Sequence, residues 1–210
     1  MKNKASLFAF LVLGLVSVLG CGQLQEKFIE SLPKETESSP KGFSLAGKEW
    51  KTFELDGMEI KVDLPGDPSD KTPSASQMPL GASEVFSAIK IHAYDEKDFG
   101  SSYSQLNPTG KQKLQLKELA DTSMAAIKKQ APDLKYRLEM KSAATARYIG
   151  SFSRSGKSFE LRGCCVYQKS KPERVWSVIT VFEKDNADGQ TASKRIIESG
   201  TFKDSSETCQ

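Results

Sequence analysis

The spacing of hydrophobic residues changes several times along the chain, and each change predicts a different element. Apolar and polar residues alternate on both sides of Asp56-Gly57, with the apolar positions at Phe53, Leu55, Met58, Ile60, Val62 and Leu64. Alternation around an Asp-Gly pair predicts a β-hairpin with its turn at that pair. The Pro-Gly-Asp-Pro stretch at 65–68 ends the second strand, and residues 69–81, rich in proline and serine, predict a loop.

Strand character returns at residues 84–94, and a helical pattern follows later. Between the two, we expect a loop, because the segment contains Gly100, Asn107-Pro108 and Gly110. Residues 114–130 place apolar side chains at helical spacing, and Pro132 ends that pattern. The middle of the chain therefore predicts one strand, one loop and one amphipathic helix.

The last third of the chain predicts a group of antiparallel strands and a closing helix. The strands are expected at 138–140, 145–153, 158–168 and 174–182, and the turns at 154–157 and 169–173. Residues 174–182 form the run richest in β-branched and aromatic residues, which is typical of a central strand. A short helix at 191–198 and a strand stub at 199–202 complete the prediction.

The N-terminal residues 1–20 have the pattern of a signal peptide. Lys2 and Lys4 precede an uncharged apolar run at 5–19, which is shorter than the roughly 20 residues that cross a bilayer. The run closes on Val18-Leu19-Gly20-Cys21, which resembles the lipobox of bacterial lipoproteins. The resemblance implies cleavage between Gly20 and Cys21, a diacylglycerol on the Cys21 thiol and a further acyl chain, such as palmitate, on the new amino group.

This resemblance also implies where the protein is located. Acyl chains on Cys21 would anchor an exported protein to a membrane, since two or three chains bind stably where one binds reversibly. Gly22 follows the cysteine, and in a host with two membranes the sorting habit of lipoproteins then favours the outer membrane. In a host with one membrane, the outer face of the plasma membrane is expected. The alternative is an ordinary secreted protein with a chance cysteine near the cleavage site.

Composition divides the rest of the chain into three parts. Residues 21–44 are mostly charged and small polar and predict a flexible stalk, although Phe28, Ile29 and Leu32 could form one amphipathic turn. Residues 45–205 are long enough for one globular domain with a single core. Residues 206–210 are expected to be a C-terminal tail.

The order of predicted elements resembles the PsbP-like domain. The local motifs of this resemblance are the Val-Asp-Leu-Pro-Gly-Asp-Pro run at 62–68 and Ser-Gly-Thr-Phe at 199–202. The resemblance implies an α+β fold, an α/β/α sandwich in which helices flank a central antiparallel sheet. It also implies a binding or accessory role, by analogy of fold only, and it assigns no catalytic residue.

Charge and composition exclude some functions. The chain has 30 Lys and Arg against 27 Asp and Glu, a formal charge of +3, with the two signs evenly mixed. Nucleic-acid binders concentrate basic residues in a stripe, so we expect no nucleic-acid partner. The single histidine cannot form a His-rich metal site, and no cofactor motif is present. We therefore predict neither a metal site nor a cofactor.

Two segments could carry chemistry, but each has a simpler explanation. His92 lies opposite Ile89, Ile91 and Ala93 in its predicted strand, and we expect it on the solvent side rather than in an acid-base or metal site. The Ser-Arg-Ser-Gly-Lys run at 153–157 resembles a phosphate-binding loop only in composition. It lacks the spacing and the following helix of that loop, so it predicts a hairpin turn.

The cysteines predict a disulfide. If Cys21 carries lipid, then Cys164, Cys165 and Cys209 remain in an oxidising compartment. Neighbours in a strand point to opposite faces, so Cys164 and Cys165 do not pair with each other. Cys165 shares its face with apolar residues, which makes Cys164 the more exposed one and favours a disulfide between Cys164 and Cys209. Pairing of Cys165 with Cys209 and a redox-active or metal-binding Cys-Cys pair are the alternatives.

These observations predict a membrane-anchored lipoprotein of the bacterial cell envelope. Its domain is expected to be a non-catalytic binding, accessory or assembly protein with another envelope protein as its partner. The alternative is a small-ligand-binding lipoprotein with a pocket between sheet and helix. Enzymatic activity is the least favoured, because no nucleophile, base and orienting group occur together.

Overall fold

The computed structural model describes residues 42–72, 74, 86–109, 115–168, 170–171, 174–203 and 209. These residues form two helices and ten strands. In chain order the elements are β1 (Lys51–Leu55), β2 (Ile60–Leu64), β3 (Ser69–Asp70), β4 (Phe86–Glu96), β5 (Phe99–Pro108), α1 (Leu116–Gln130), β6 (Lys135–Met140), β7 (Thr145–Arg154), β8 (Lys157–Tyr167), β9 (Val175–Glu183), α2 (Ala187–Ser199) and β10 (Thr201–Phe202).

Seven of the strands form one large sheet in the order β3-β4-β5-β9-β8-β7-β6, and each pairing in it is antiparallel. The predicted position of the β-branched run is confirmed, because β9 lies in the middle of this sheet. The other three strands form a small sheet in the order β1-β2-β10. The fold is therefore α+β, dominated by antiparallel sheets.

Each face of the large sheet has its own core. One face, here called the α1 face, packs against α1 and carries side chains such as Ile91, Leu161 and Ile179. The opposite face, here called the α2 face, packs against α2 and the small sheet and carries side chains such as Tyr103 and Trp176. Since both faces are covered, the central strands are buried along nearly their whole length.

The small sheet is attached to the α2 face by hydrogen bonds as well as by apolar contacts. The carbonyl oxygen of Met58 accepts from Nε1 of Trp176 at 2.9 Å and from Nε2 of Gln105 at 3.1 Å. Gly57 permits the hairpin turn that presents this carbonyl, because its φ is 64°. The predicted hairpin is confirmed, and it covers the core on the α2 face of the large sheet.

The packed part of the chain already includes Phe43 and Ser44. The Phe43 ring stacks on the Phe99 ring with centroids 4.3 Å apart, and Phe43 is buried. Asp188 at the start of α2 accepts from Ser44 Oγ at 3.2 Å and from the backbone N–H of Leu45 at 2.9 Å. These contacts fix the chain just before β1, whereas the rest of the predicted stalk lies outside the described residues.

One predicted loop is wrong, because residues around Gly100 form the long strand β5. This strand pairs with β4 on one side and β9 on the other, and its Ser101, Ser102 and Ser104 are buried. Gly100 and the Asn107-Pro108 pair predicted a loop here. Backbone pairing along both edges outweighs that weak local preference.

The remaining elements agree with the sequence patterns within a few residues. α1, α2 and strands β6 to β9 occur where they were predicted, and the turn before Lys157 has Ser155 and Gly156 at positive φ. The composition-based comparison with a phosphate loop thus resolves to a hairpin turn. The short strand β3, which pairs with β4, was not predicted.

Candidate functional site

A cleft opens on the α2 face where the covering layer ends. The small sheet and α2 cover the middle of this face, but Ile149 of β7 remains 47% exposed. The cleft has a volume of about 340 Å³ and lies between α2 and strands β6, β7 and β8. Its lining consists of Arg137, Glu139, Arg147, Tyr148, Ile149, Arg162, Gly163, Lys194, Ile197, Glu198 and Cys209.

Strand register brings the charged residues of the cleft together. Arg147 of β7 lies opposite Glu139 of β6 and opposite Cys164 of β8, and Arg137 lies opposite Ile149. Alternate residues of neighbouring strands share a face, so three arginines from three strands project on the same side of the sheet. With Lys194 of α2, the cleft has four cationic side chains and two carboxylates.

Both carboxylates of the cleft have cations beside them. Glu139 accepts from Lys141 Nζ at 3.0 Å, and Glu198 Oε1 lies 3.9 Å from Lys194 Nζ. The hydrogen bond from Lys141 lowers the pKa of the Glu139 carboxyl, and the charges of Arg137 and Arg147 act in the same direction. The arginines of the cleft therefore contribute to the lowered pKa of Glu139.

The guanidinium of Arg162 has partners, whereas two nitrogens of Arg147 have none among the described residues. Arg162 Nε donates to Glu160 Oε1 at 2.5 Å, and its guanidinium lies 5.1 Å from the Phe182 ring centroid. The Nε and Nη2 atoms of Arg147 are buried and have no hydrogen-bond partner among the residues that the structure describes. A buried N–H group without an acceptor loses its hydration without compensation, and the loss is larger for a charged group.

A disulfide joins Cys164 to Cys209 beside this cleft, with their Cα atoms 5.9 Å apart. Cys164 is fully buried, so the expectation that it would be the more exposed of the two neighbours is wrong. The parity argument assumed one solvated face, but α2 and the small sheet cover the face that bears Cys164. Through the disulfide, the end of the chain is attached to the wall of the cleft.

Cys165 lies on the α1 face and is buried as a thiol. Burial raises its pKa to about 11, although Ser177 and Tyr148 partly offset the effect through hydrogen bonding. A thiol with that pKa remains protonated at neutral pH and is a poor nucleophile. Its position thus favours a structural role over redox or metal chemistry.

His92 is buried, which corrects the expectation that it would be on the solvent side. It does lie on the face opposite Ile89, Ile91 and Ala93, and its strand neighbours are Asp70 and Tyr103. The small sheet covers this face, which explains the burial. Within the described part of the chain, no group of three His, Cys, Asp or Glu residues is arranged to hold a metal ion.

Sequence patterns alone did not identify the three arginines of the cleft. Each occupies the polar position of an alternating strand, as in Ala146, Arg147 and Tyr148, and such a position usually faces solvent. A signal existed, because these arginines share the parity of a face that also bears Ile149 and Cys164. Using it required the strand register, which local patterns do not determine.

Gly20, Cys21 and the signal peptide lie outside the described residues, and so does most of the predicted tail, of which Cys209 is described. None of the described helices has the length and apolar character needed to cross a membrane. Lipidation of Cys21 therefore remains a prediction from the sequence.

Solved structures include chains that resemble this one. No protein-family model and no curated protein matches the chain. The chain is similar to the crystal structure of LpqN of Mycobacterium tuberculosis, a protein described as involved in cell envelope biogenesis. The similarity has a TM-score of 0.39 and 13% sequence identity, and it covers 77% of this chain and 98% of LpqN.

Proposed function

We propose that the chain is an exported lipoprotein of the bacterial cell envelope with a PsbP-like domain that binds a partner without catalysis. Acyl chains on Cys21 anchor it, and residues 22–41 separate the domain from the membrane. The domain serves as an accessory or assembly factor for another envelope protein. Its binding surface is the end of the α2 face formed by β6 and β7.

The anchoring rests on the sequence at the N-terminus. A positive start, a short apolar run and the lipobox-like Val18-Leu19-Gly20-Cys21 together supply what lipoprotein processing requires. The layer order supports the PsbP-like assignment, because α1 lies on one side of an antiparallel sheet and α2 on the other. An oxidising compartment also suits the disulfide between Cys164 and Cys209.

The binding role is carried by the incomplete cover of the α2 face. Ile149 of β7 is a large hydrophobic residue exposed on this face, whereas Tyr136 and Met140, which are also exposed, lie at positions of β6 that face the side of α1. β6 is also an edge strand, so one row of its backbone groups has no partner strand among the described residues. Apolar side chains beside an unpaired strand edge are typical of a surface that binds another chain.

Non-catalytic binding is supported by the chemistry of the residues in the cleft. Arginine, lysine and paired carboxylates bind and orient charged groups, whereas His92 and Cys165, the base and the thiol that the sequence singled out, lie elsewhere. Cys165 is on the opposite face and protonated, and His92 is buried in β4 under the small sheet. A second candidate function, binding of a small ligand, is favoured by the unpartnered guanidinium nitrogens of Arg147.

Fatty-acid labelling tests the anchoring. Cells that express the chain are grown with an alkyne-tagged palmitate, and the protein is followed in membrane and soluble fractions. We expect label and membrane retention in the wild type, and loss of both in Cys21→Ser. Label that persists in Cys21→Ser would contradict the proposed attachment site.

Site-specific photo-crosslinking tests the binding surface. A photoreactive amino acid is placed at position 149 in the cleft and, as a control, at position 128 on the exposed side of α1. We expect one discrete adduct, identified by mass spectrometry, at position 149 and none at position 128. Equal adducts at both positions, or none at either, would contradict this surface.

A further inference from the structure

We propose that the cleft between α2 and strands β6 to β8 binds a phosphate group, with Arg147 as the central ligand and Arg137 and Lys194 at its rim. This deepens the second candidate function, ligand binding, and is independent of the lipid anchor. The phosphate belongs either to a free small molecule or to a lipid headgroup, and the test below separates the two sources.

The first observation is the unmet hydrogen-bonding capacity of Arg147. Its Nε and Nη2 are buried in the described structure and have no acceptor there. Neither Glu139, which accepts from Lys141 at 3.0 Å, nor Glu160, which accepts from Arg162 at 2.5 Å, accepts from these two atoms of Arg147. Both atoms are buried where they stand, so rotation of the guanidinium toward an acceptor in the cleft would let them form charge-assisted hydrogen bonds.

The second observation is the direction from which the cations come. Arg137 belongs to β6, Arg147 to β7 and Lys194 to α2, so the donors surround the cleft from a sheet on one side and a helix on the other. A carboxylate offers two oxygens in one plane, but a phosphate offers oxygens in tetrahedral directions. Donors that converge from several elements therefore match a phosphate better.

The third observation is size and access. A cleft of about 340 Å³ is at the small end of ligand sites, which run from about 300 to 1,000 Å³. It accommodates a phosphate and a small attached group, and its open side leaves room for a chain that extends outward. Ile149 and Ile197 supply an apolar wall for the attached group.

The test measures binding of inorganic phosphate to the full mature chain in mild detergent, by isothermal titration calorimetry at constant ionic strength with chloride as the reference. Arg147→Gln is compared with Lys128→Gln, which removes the same charge from the exposed side of α1. We expect phosphate affinity to fall about tenfold or more in Arg147→Gln and to be unchanged in Lys128→Gln. Equal affinity in the two variants, or no phosphate binding by the wild type, would overturn the proposal.

A second variant protects the test against a folding defect. Arg137 is exposed at the rim, so Arg137→Gln should keep the wild-type thermal transition and still weaken phosphate binding. Wild-type affinity in a folded Arg137→Gln protein, together with an unfolded Arg147→Gln protein, would count against the site.

Vesicles separate the two sources of phosphate. Liposomes of phosphatidylcholine are compared with liposomes that also contain phosphatidic acid, each with and without added inorganic phosphate. Binding to phosphatidic acid that inorganic phosphate and Arg147→Gln both abolish supports a headgroup, whereas phosphate binding without vesicle binding supports a free ligand. Vesicle binding that survives Arg147→Gln contradicts a headgroup site. If the wild type binds no phosphate in calorimetry but still forms the crosslinked adduct at position 149, this inference fails and the proposed function stands.

Discussion

The ring of Tyr148 lies directly over Gly163, its partner in the register of β7 and β8. A Cβ atom at position 163 would be 2.3 Å from Cε2 of Tyr148 and 2.5 Å from the carbonyl oxygen of Val178. Tyr148 cannot easily move away, because it is buried and its hydroxyl lies 3.2 Å from Ser177 Oγ. The glycine therefore creates the space for the tyrosine beneath the cleft.

Gly163→Ala should destabilise the fold. The added methyl group meets backbone as well as the ring, and overpacking of a buried site costs roughly 1 to 3 kcal/mol. Gly200→Ala is the matched control, because a Cβ there would meet its nearest neighbours at 3.6 and 3.7 Å. Urea unfolding is the measurement, and equal stability of the two variants would show that Tyr148 has more room than the structure indicates.

The disulfide between Cys164 and Cys209 should stabilise the domain. The two residues are 45 positions apart, and closing a loop of that length is worth roughly 3 to 4 kcal/mol in the chain-entropy description. Cys209→Ser should therefore lower the free energy of unfolding by about that amount. Alkylation of the unreduced, denatured chain followed by peptide mapping should label Cys165 and leave Cys164 and Cys209 linked. A peptide that joins Cys165 to Cys209 would contradict this pairing.

The buried thiol of Cys165 should make stability fall at alkaline pH. Its pKa is about 11 in the folded chain and near its ordinary value of 9 when unfolded. The folded state keeps the proton while the unfolded state releases it, so stability declines between about pH 9 and pH 11, by roughly 2 to 3 kcal/mol.

Cys165→Ala is the comparison for this pH dependence. The buried tyrosines are present in both proteins, so the difference between their stability curves reports the thiol together with its effect on the pKa of Tyr148 and of Tyr167. We expect the variant to lose less stability across that pH range in urea unfolding. Parallel curves would indicate that the thiol has its ordinary pKa in the folded protein.

The stacking of Phe43 on Phe99 predicts where the stable domain begins. Phe43→Ala removes a buried ring from the core of the α2 face and should lower the free energy of unfolding by about 3 kcal/mol. Phe28→Ala, in the predicted stalk, should change stability by less than about 0.5 kcal/mol. Chemical denaturation of both variants measures the contrast. A large effect of Phe28→Ala would mean that the stalk packs against a folded structure.

Local patterns predicted most of the elements but not which strands pair with each other. The hairpin around Gly57 and the helix that ends before Pro132 were evident, because turn residues and helical spacing act within a few residues. Strand β5 was missed. It pairs with its sequence neighbour β4 on one side, but on the other side it pairs with β9, which is distant in sequence. Long-range pairing leaves no short-range pattern.

The cleft illustrates the same limit for function. Arg137, Arg147 and Arg162 each looked like an ordinary polar position of a strand, and only the register of β6, β7 and β8 places them together. The prediction that Cys164 and His92 would be exposed was wrong for a related reason. The sequence showed two sets of residues per strand, but it did not show that both sets would be covered.

Native mass spectrometry of the protein, extracted gently from its own membranes, tests the lipid anchor and ligand binding together. One spectrum reports the acyl mass on Cys21, the two hydrogens lost to a disulfide and any bound molecule. We expect a lipidated chain with one disulfide and a bound species that is absent from Arg147→Gln. An unlipidated N-terminus, or the same bound species in both proteins, would contradict this expectation.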